Sequence, residues 1–249
     1  MLCCSALMFK MEQSNISNKI KLISHRGLSD NFPENSLAAF ELAGGKDYYG
    51  IECDIRFTLD GYLVVIHDRT SRRVADLNFK IKKHFISTLR QAFLKNTDGT
   101  KSELKIPTLE EYLDVCKNYN KIAVLELKTI FTTKQTAALL KKISKYHESS
   151  KTIIISKYFV NLKQIRQQSK NQRLQLIKRH LNDKTIKKLS FYNIDADIYY
   201  KNLTAKTVNK CHEYGVLVNC WTCNDPSYAE HLIKIGVDYI TTDTLGYNF

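Results

Sequence analysis

The residues of this chain best suited to chemistry are carboxylates that lie in short apolar runs. In the run at residues 50–57, Glu52 and Asp54 stand two positions apart, so in a β-strand both side chains would share one face. Glu126 lies near the end of a later run, at residues 121–128. Three carboxylates form an all-oxygen ligand set, which suits a hard divalent cation such as Mg²⁺ or Ca²⁺. These residues predict a metal site.

Two histidines and two cationic side chains stand at comparable positions. His25 and Arg26 directly follow one apolar run, and His67 ends another. Lys128 lies two residues after Glu126. Histidines can act as general acid and general base, and Arg and Lys can hold a phosphate. Together with a divalent metal, these groups suit attack on a phosphodiester, with one histidine protonating the leaving alkoxide.

Strands alternating with helices must position these residues, because short apolar runs alternate with amphipathic segments along most of the chain. Strands are predicted at residues 20–24, 50–57, 62–67, 121–128, 152–156, 174–178, 197–200, 216–221 and 239–242. Helices are predicted at residues 36–43, 108–118, 133–147, 159–169, 183–189, 204–214 and 226–235. Capping signals support several helices, among them the capping box of Thr108 and Glu111 and the Asp225-Pro226 start.

This alternation implies parallel strands joined by right-handed crossovers. With one strand counted as the arm of a hairpin, eight strand–helix units remain in 249 residues. That number favours an α/β fold of the (β/α)8 TIM-barrel type over an open doubly wound sheet, and in such a barrel the reactive groups gather at the carboxyl ends of the strands. The predicted site residues all fall at that rim.

A hairpin and a long irregular segment are predicted beside the second strand. Asp60-Gly61 indicates a two-residue turn, which would place Leu59 opposite Tyr62 and Asp54 opposite His67. Residues 69–106 have weak periodicity and predict a small inserted subdomain that acts as a lid over the site. Residues 1–19 are predicted to be a flexible N-terminal appendage, and residues 20–249 a single phosphodiesterase barrel domain.

The net charge of +13 suggests an acidic partner, and its distribution is uneven. Residues 141–188 hold 14 of the 38 basic side chains and 2 of the 25 acidic ones. This stretch predicts either a solvated outer face of consecutive barrel helices or peripheral contact with an anionic membrane. Nucleic acid is not expected as a partner, because the stretch lacks interleaved aromatic residues at stacking spacing.

Cysteine usage and the N-terminus predict a cytoplasmic protein. The seven cysteines are scattered and odd in number, which is typical of reduced thiols. Cys220 and Cys223 form a C-x-x-C spacing, but they continue an apolar run that reads as a packed strand. The first eleven residues lack the basic start and the longer apolar run of a secretory signal, and no stretch reaches the ~20 apolar residues of a spanning helix.

Two further parts of the sequence, the segment around Glu34 and Asn35 and the residue Trp221, have two interpretations each. Glu34 and Asn35 could contact substrate, while Asn35 or Ser36 could instead cap the following helix. Trp221, the only tryptophan, stands where a strand would end. Its ring could pack on an apolar part of the substrate or inside the barrel.

The ordered set of motifs resembles the glycerophosphodiester phosphodiesterase family from about residue 20 onward. The motifs that carry the resemblance are His25-Arg26-Gly27, Pro33-Glu34-Asn35-Ser36, Glu52-Cys53-Asp54, His67-Asp68, residues 106–111, Glu126-Leu127-Lys128, residues 221–224 and Thr242-Asp243.

The resemblance implies a (β/α)8 barrel with a subdomain inserted after His67-Asp68. It implies that His25 and His67 form the acid/base pair, and that Glu52, Asp54 and Glu126 hold a divalent metal, Mg²⁺ or Ca²⁺. It also implies hydrolysis of a small-molecule glycerophosphodiester to sn-glycerol 3-phosphate and an alcohol. We expect Arg26, Lys128, Trp221, Glu34 and Asn35 to bind this substrate.

The sequence departs from the family pattern at two places. Where the family usually has Ser-Phe after a strand, this chain has Ser156-Lys157, and residues 70–74 are unusually basic. Two alternatives to the leading function stay open. One is a phospholipase D-type enzyme that acts on lysophospholipids or sphingomyelin by cyclising transfer. The other is a non-catalytic barrel that binds anionic surfaces.

Overall fold

The computed structural model describes residues 20–246, and every structural statement below concerns that part of the chain. The predicted N-terminal appendage at residues 1–19 lies outside the described residues. No helix within the described range is long and apolar enough to cross a membrane.

Eleven strands and eight helices follow one another along the described chain. The strands are β1 (Lys21–Ser24), β2 (Gly50–Phe57), β3 (Leu63–Val65), β4 (Phe93–Lys95), β5 (Lys101–Lys105), β6 (Ile122–Leu127), β7 (Thr152–Ser156), β8 (Arg173–Lys178), β9 (Asp195–Tyr199), β10 (Val218–Trp221) and β11 (Tyr239–Thr242). The helices are α1 (Leu37–Gly44), α2 (Ile86–Leu89), α3 (Leu109–Asn118), α4 (Thr133–Tyr146), α5 (Phe159–Gln168), α6 (Asp183–Tyr192), α7 (Ala205–Glu213) and α8 (Pro226–Lys234).

Eight of the strands are parallel and close into a barrel. Around the barrel, β1 is followed by β11, β10, β9, β8, β7, β6 and β2, and β1 also pairs with β2. The seam between β1 and β11 runs in register from Lys21 opposite Tyr239 to Ser24 opposite Thr242. The predicted (β/α)8 architecture is therefore confirmed.

Alternation along the strands divides the core into an inner and an outer layer. On β2, Ile51, Cys53 and Ile55 face outward and pack against the helices in the main core cluster. The inner cluster is smaller and contains Ile23, Val124, Ile153, Ile155 and Tyr239. The inward positions near the carboxyl ends of the strands are consequently free for polar residues.

Capping residues define the starts of helices α3 and α8 where the sequence predicts them. Thr108 accepts a hydrogen bond from the Glu111 amide while the Glu111 carboxylate accepts one from the Thr108 amide, which completes the predicted capping box. Asp225 caps α8, and Pro226 occupies its first turn. Where the ends of predicted helices and strands differ from the observed ones, the difference is one to three residues, as fraying of terminal turns leads one to expect.

The predicted register of the hairpin is wrong by one residue. Phe57 lies opposite Leu63, and the Thr58 amide donates to the Tyr62 carbonyl at 2.9 Å, so the loop has three residues rather than two. Gly61 has φ of 81°, the left-handed conformation that closes such a three-residue loop with a bulge. Asp54 consequently lies opposite Ile66, whose amide donates to the Asp54 carbonyl at 2.8 Å, and not opposite His67.

The segment between β3 and α3 packs around a small core of its own. It contains the antiparallel pair β4–β5 and the one-turn helix α2. The apolar residues of this core are Val64, Ile66, Val74, Ala75, Ile81, Leu89, Ala92, Leu94 and Ile106. Val64 and Ile66 come from β3 and the residue after it, so the hairpin joins this core to the barrel.

The cysteines within the described range are buried thiols. Cys53, Cys116, Cys211, Cys220 and Cys223 are all free. Cys220 and Cys223 both pack in the main core, which agrees with the interpretation of the C-x-x-C spacing as a packed strand.

Candidate active site

Glu52, Asp54 and Glu126 converge at the inward face of two neighbouring strands. Asp54 on β2 lies directly opposite Glu126 on β6 in the parallel register, and Glu52 precedes Asp54 by two residues on the same face. One oxygen from each carboxylate lies within 4.8 Å of the others. Glu52 and Asp54 are fully buried, with exposed fractions of 2% and 0%.

The electrostatics of this cluster suit a bound cation. Burial, together with the nearby Asp54 carboxylate, raises the pKa of Glu52 to about 8. Glu52 Oε1 is buried and has no hydrogen-bond partner among the described residues. An unpaired carboxylate oxygen is costly in such a place unless it binds a proton or a cation. The donor set, three carboxylates with one free inward oxygen, could therefore hold a divalent metal of the Mg²⁺ or Ca²⁺ type.

Lys128 and Arg26 flank Asp54. Lys128 Nζ lies 3.1 Å from Asp54 Oδ1 and 2.8 Å from Glu126 Oε1. Arg26 Nε lies 3.2 Å from Asp54 Oδ2. Although burial acts to raise it, the pKa of Asp54 is held below its usual value by Lys128 and Arg26. The two cations thus keep Asp54 ionised at the centre of the cluster.

The turn after β1 directs the Arg26 backbone toward the carboxylates. Arg26 and Gly27 both have positive φ values, 57° and 77°. A Cβ atom on Gly27 would lie 2.7 Å from the carbonyl carbon of Ala39, so only glycine fits there. This turn brings the Arg26 amide to 2.9 Å from Glu52 Oε2, where it donates a hydrogen bond.

Glu34 and Asn35 contact other residues of the site. Asn35 Nδ2 donates to Asp54 Oδ2 at 2.8 Å, and the Asp54 amide donates to Asn35 Oδ1 at 3.1 Å. Glu34 accepts hydrogen bonds from Arg26 at 3.0 Å and from Arg73. Ser36 caps α1. Asn35 therefore orients a candidate metal ligand, and direct contact of these two residues with substrate stays a prediction.

His25 is oriented by a residue at the opposite side of the barrel seam. Its Nδ1 lies 2.7 Å from Asp243 Oδ1, just after β11, and Asn224 Nδ2 donates to Asp243 Oδ2 at 2.7 Å. Burial lowers the pKa of His25, but the hydrogen bond to Asp243 and the charge of Glu52 outweigh it, so the pKa lies above its usual value.

His67 is held from two sides. Its Nδ1 lies 2.7 Å from Asp68 Oδ1. Its backbone carbonyl accepts hydrogen bonds from Arg56 Nε at 2.9 Å and from the Arg56 terminal nitrogen at 2.5 Å. Burial holds the pKa of His67 below its usual value, and the charges of Lys128 and Arg26 act in the same direction. The charge of Asp54 and the hydrogen bond to Asp68 act to raise this pKa but do not reverse the shift. The two histidines are thus shifted in opposite directions.

A cavity of about 280 Å³ opens above these groups. Its lining includes the predicted residues His25, Arg26, Glu52, His67, Glu126, Lys128 and Trp221. The structure therefore brings most of the predicted site to one cavity, with Asp54 and Asn35 buried beside it. Trp221 Nε1 donates to the Asp197 carbonyl at 3.2 Å, so its ring both packs on the barrel and faces the cavity.

Several residues near the cavity were not predicted as site residues, among them four charged ones. Asp243 and Arg56 position the two histidines, while Lys157 and Asp197 line the cavity itself. Lys157 could have been found from the sequence, because it continues the inward alternation of Ile153 and Ile155 on β7. The Asp243 contact required knowledge that β11 closes onto β1.

Comparison with known proteins gives a direct match over almost the whole described chain. The family model described as "Glycerophosphoryl diester phosphodiesterase family" matches residues 25–247. The chain belongs to this family. The match begins at His25 and includes every candidate site residue named above.

Relatives named glycerophosphodiester phosphodiesterase support the assignment over most of the chain. A glycerophosphodiester phosphodiesterase of Caldanaerobacter subterraneus subsp. tengcongensis is 30% identical over 230 residues, which cover 90% of this chain and 94% of the relative. A solved glycerophosphodiester phosphodiesterase of Parabacteroides distasonis superposes with a TM-score of 0.76 at 28% identity, covering 90% and 92% of the two chains.

A third comparison concerns the fold. A solved phosphodiesterase of Oleispira antarctica, in complex with the product sn-glycerol-3-phosphate, superposes with a TM-score of 0.82 at 24% identity. The match covers 90% of this chain and 92% of that one. The predicted enzyme class, a glycerophosphodiester phosphodiesterase, is confirmed by the family assignment, and the alternative of a non-catalytic barrel is set aside.

Proposed function

We propose that this phosphodiesterase hydrolyses small glycerophosphodiesters to sn-glycerol 3-phosphate and an alcohol, with a divalent metal and two histidines. The observation that carries the proposal is the joint placement of three converging carboxylates and two carboxylate-paired histidines around one cavity. The Oleispira antarctica protein of the same fold, solved with sn-glycerol-3-phosphate, supports this choice of product.

Glu52, Asp54 and Glu126 would hold the metal, either Mg²⁺ or Ca²⁺. A divalent cation at such a site supplies positive charge for the oxygens of the reacting phosphoryl group. Arg26 and Lys128 line the same cavity and would hold the phosphate. Both are already paired with carboxylates, so they are fixed in place before the substrate arrives.

His25 and His67 would move the protons. Because the pKa of His25 is raised and that of His67 is lowered, a pH range exists in which the first is protonated and the second is neutral. That combination of states is what a general acid and a general base require. Asp243 and Asp68 would hold the two rings in the orientation that presents Nε2 to the cavity.

Residues 69–106 would form an inserted subdomain of the single barrel domain and one wall of the substrate entrance. Arg73 from this segment lies 2.7 Å from Asp68 and donates to Glu34 at 2.8 Å. This double contact supports a lid role, because it ties the segment both to the partner of His67 and to the turn after β1.

A release assay tests the proposed function. Purified enzyme is incubated with glycerophosphocholine, glycerophosphoethanolamine, glycerophosphoglycerol and lysophospholipids, with Mg²⁺, Ca²⁺ or a chelator, and products are followed by phosphorus NMR. We expect glycerol 3-phosphate from a glycerophosphodiester in the presence of a metal only. A cyclic phosphate from a lysophospholipid would instead indicate the phospholipase D-type reaction, and full turnover in the chelator would contradict the metal site.

Substitution of Asp243 by Asn is expected to lower kcat/KM by about 10²-fold, because His25 loses the carboxylate that orients it and favours its protonated form. Since the pKa of His25 should fall in this variant, the alkaline limb of the pH profile should move to lower pH. Steady-state kinetics from pH 5 to 10 measure both effects.

The matched control is the pair of His212 and Asp238 on the outer surface, which has the same chemistry at 2.9 Å. Asp238→Asn should leave kcat/KM and the pH profile unchanged. Equal effects of the two substitutions would show that Asp243 acts through stability alone.

A further inference from the structure

The outer wall formed by α5 and α6 has an unbalanced surface. Between residues 152 and 194 the sequence contains ten Lys or Arg residues and a single acid, Asp183. Eight of the ten are exposed. They are Lys157, which lines the cavity, and seven that lie outside it: Lys163, Lys170, Lys178, Arg179, Lys184, Lys187 and Lys188. The other two are used internally, because Arg166 donates to backbone carbonyls and Arg173 to tyrosine hydroxyls.

The exposed cations have no carboxylate partners within residues 20–246. The ion pairs on the adjoining surfaces are Lys142 with Glu110, Lys151 with Glu148 and Lys210 with Glu213, and none of them includes any of the eight. Lys188 lies over the Phe159 ring, 3.5 Å from its centroid. The field of this wall is therefore positive and is not neutralised by the protein itself.

Two solvent-exposed apolar side chains lie among these cations. Phe191 is 81% exposed, the highest value among the large apolar side chains within residues 20–246, and Val160 is 41% exposed. In α6, Lys184, Lys187 and Lys188 precede Phe191 by seven, four and three positions, so all four lie on one helix face. In α5, Val160 and Lys163 are likewise three positions apart and share a face.

The two helices present these faces side by side. Phe159 of α5 and Tyr192 of α6 stack edge to face with ring centroids 5.2 Å apart. Arg166 of α5 donates to the Tyr192 carbonyl at 2.9 Å. Lys188 of α6 also reaches the ring of Phe159, the neighbour of Val160 in α5. The two faces therefore adjoin, and we call their exposed residues the docking face: Val160, Lys163, Lys184, Lys187, Lys188 and Phe191.

We propose that the docking face attaches the enzyme to an anionic lipid surface. Lysines adsorb to anionic headgroups, and an aromatic ring among them inserts at the headgroup level, where it leaves water. A single-stranded nucleic acid could satisfy the charges and stack one base on Phe191, but it would leave the aliphatic Val160 in water and would find no second stacking ring on the docking face. A lipid surface fits the cations and both apolar side chains. Attachment by this wall would leave the cavity at the end of the barrel open for a soluble substrate.

Vesicle co-sedimentation tests the proposal. The full enzyme is mixed with vesicles of phosphatidylcholine alone or with 30% phosphatidylglycerol, at 50 mM and 500 mM NaCl. We expect binding to the anionic vesicles at low salt, with at least about a 10-fold loss in affinity at high salt. Failure of the unmodified enzyme to bind anionic vesicles at 50 mM NaCl would overturn the proposal.

Two variants locate the contact. The triple change K184E/K187E/K188E should lower affinity for anionic vesicles by at least about 10-fold, and Phe191→Ser should lower it several-fold while leaving the salt dependence in place. The matched control is K117E/K206E/K234E, which reverses three exposed lysines on α3, α7 and α8. Equal losses in the two triple variants would show that only net charge matters and would overturn the assignment to this face.

Hydrolysis of a soluble glycerophosphodiester serves as a folding readout in every variant and should stay unchanged. A competition arm with single-stranded RNA separates the two classes of polyanion. Binding to RNA without binding to anionic vesicles would overturn the lipid proposal, whatever the outcome for the proposed catalytic function.

Discussion

Glu126→Gln is expected to reduce kcat by at least about 10³-fold while the protein remains folded. The change removes one of the three negative charges that converge within 4.8 Å, but it keeps the size and shape of the side chain. A site with two carboxylates should bind Mg²⁺ or Ca²⁺ more weakly and stabilise the phosphoryl oxygens less. Lys128 keeps its second partner, Asp54, at 3.1 Å, so no buried charge is left unpaired.

Three measurements check this expectation. Steady-state kinetics over a range of metal concentrations give kcat, isothermal titration calorimetry gives metal affinity, and circular dichroism melting reports the fold. Glu110→Gln is the matched control, because Glu110 pairs with Lys142 on the outside of the barrel and should leave activity unaltered. Near-normal turnover by Glu126→Gln at saturating substrate would rule out the proposed metal site.

Removal of either histidine is expected to cost about 10²- to 10⁴-fold in kcat/KM, the usual range for a lost general acid or base. The pH profile should distinguish the two. The pKa of His67 lies below 6.5, so a neutral His67 is lost as the pH falls through that lower value. The pKa of His25 lies above 6.5, so a protonated His25 is lost as the pH rises through that higher value.

The unmodified enzyme should therefore show a bell-shaped profile of kcat/KM, with one limb on each side of pH 6.5. His67→Ala should remove the acidic limb and His25→Ala the alkaline limb. His212→Ala, which removes a surface imidazole paired with Asp238, should change neither. Loss of the same limb in both site variants, or no limb lost, would contradict the acid/base pair.

Much of the fold could be predicted because its determinants are local. The strands β2, β7 and β11 begin and end at the predicted residues, since each is a continuous apolar or alternating run bounded by turn or capping residues. The convergence of Glu52 with Asp54, and of Glu126 with Lys128, follows from the two-residue period of a strand together with the parallel register.

The hairpin register could not be predicted from its turn sequence alone. Asp60-Gly61 fits a two-residue turn, but the chain forms a three-residue loop in which Gly61 alone takes the left-handed conformation. His67 still reaches the cavity, because the chain bends after β3 and Arg56 holds the His67 carbonyl. The contact with Arg56 thus positions His67 at the cavity, where pairing opposite Asp54 was predicted to position it.

The pairing of His25 with Asp243 could not be predicted from the local sequence, for a different reason. The two residues are 218 positions apart, and only the closing of β11 onto β1 brings them together. Either residue by itself looks like an ordinary polar residue at the end of a strand. A long-range register of this kind has no short-range signature in the sequence.

The same seam between β1 and β11 has a consequence for biosynthesis. The strand that His25 follows, β1, is among the first described elements to leave the ribosome, whereas β11, which precedes the orienting carboxylate of Asp243, is the last of them. A nascent chain can therefore contain all three candidate metal ligands and still lack the carboxylate that orients His25. If the proposed role of Asp243 holds, full activity is expected only after translation has passed this residue and β11 has closed onto β1.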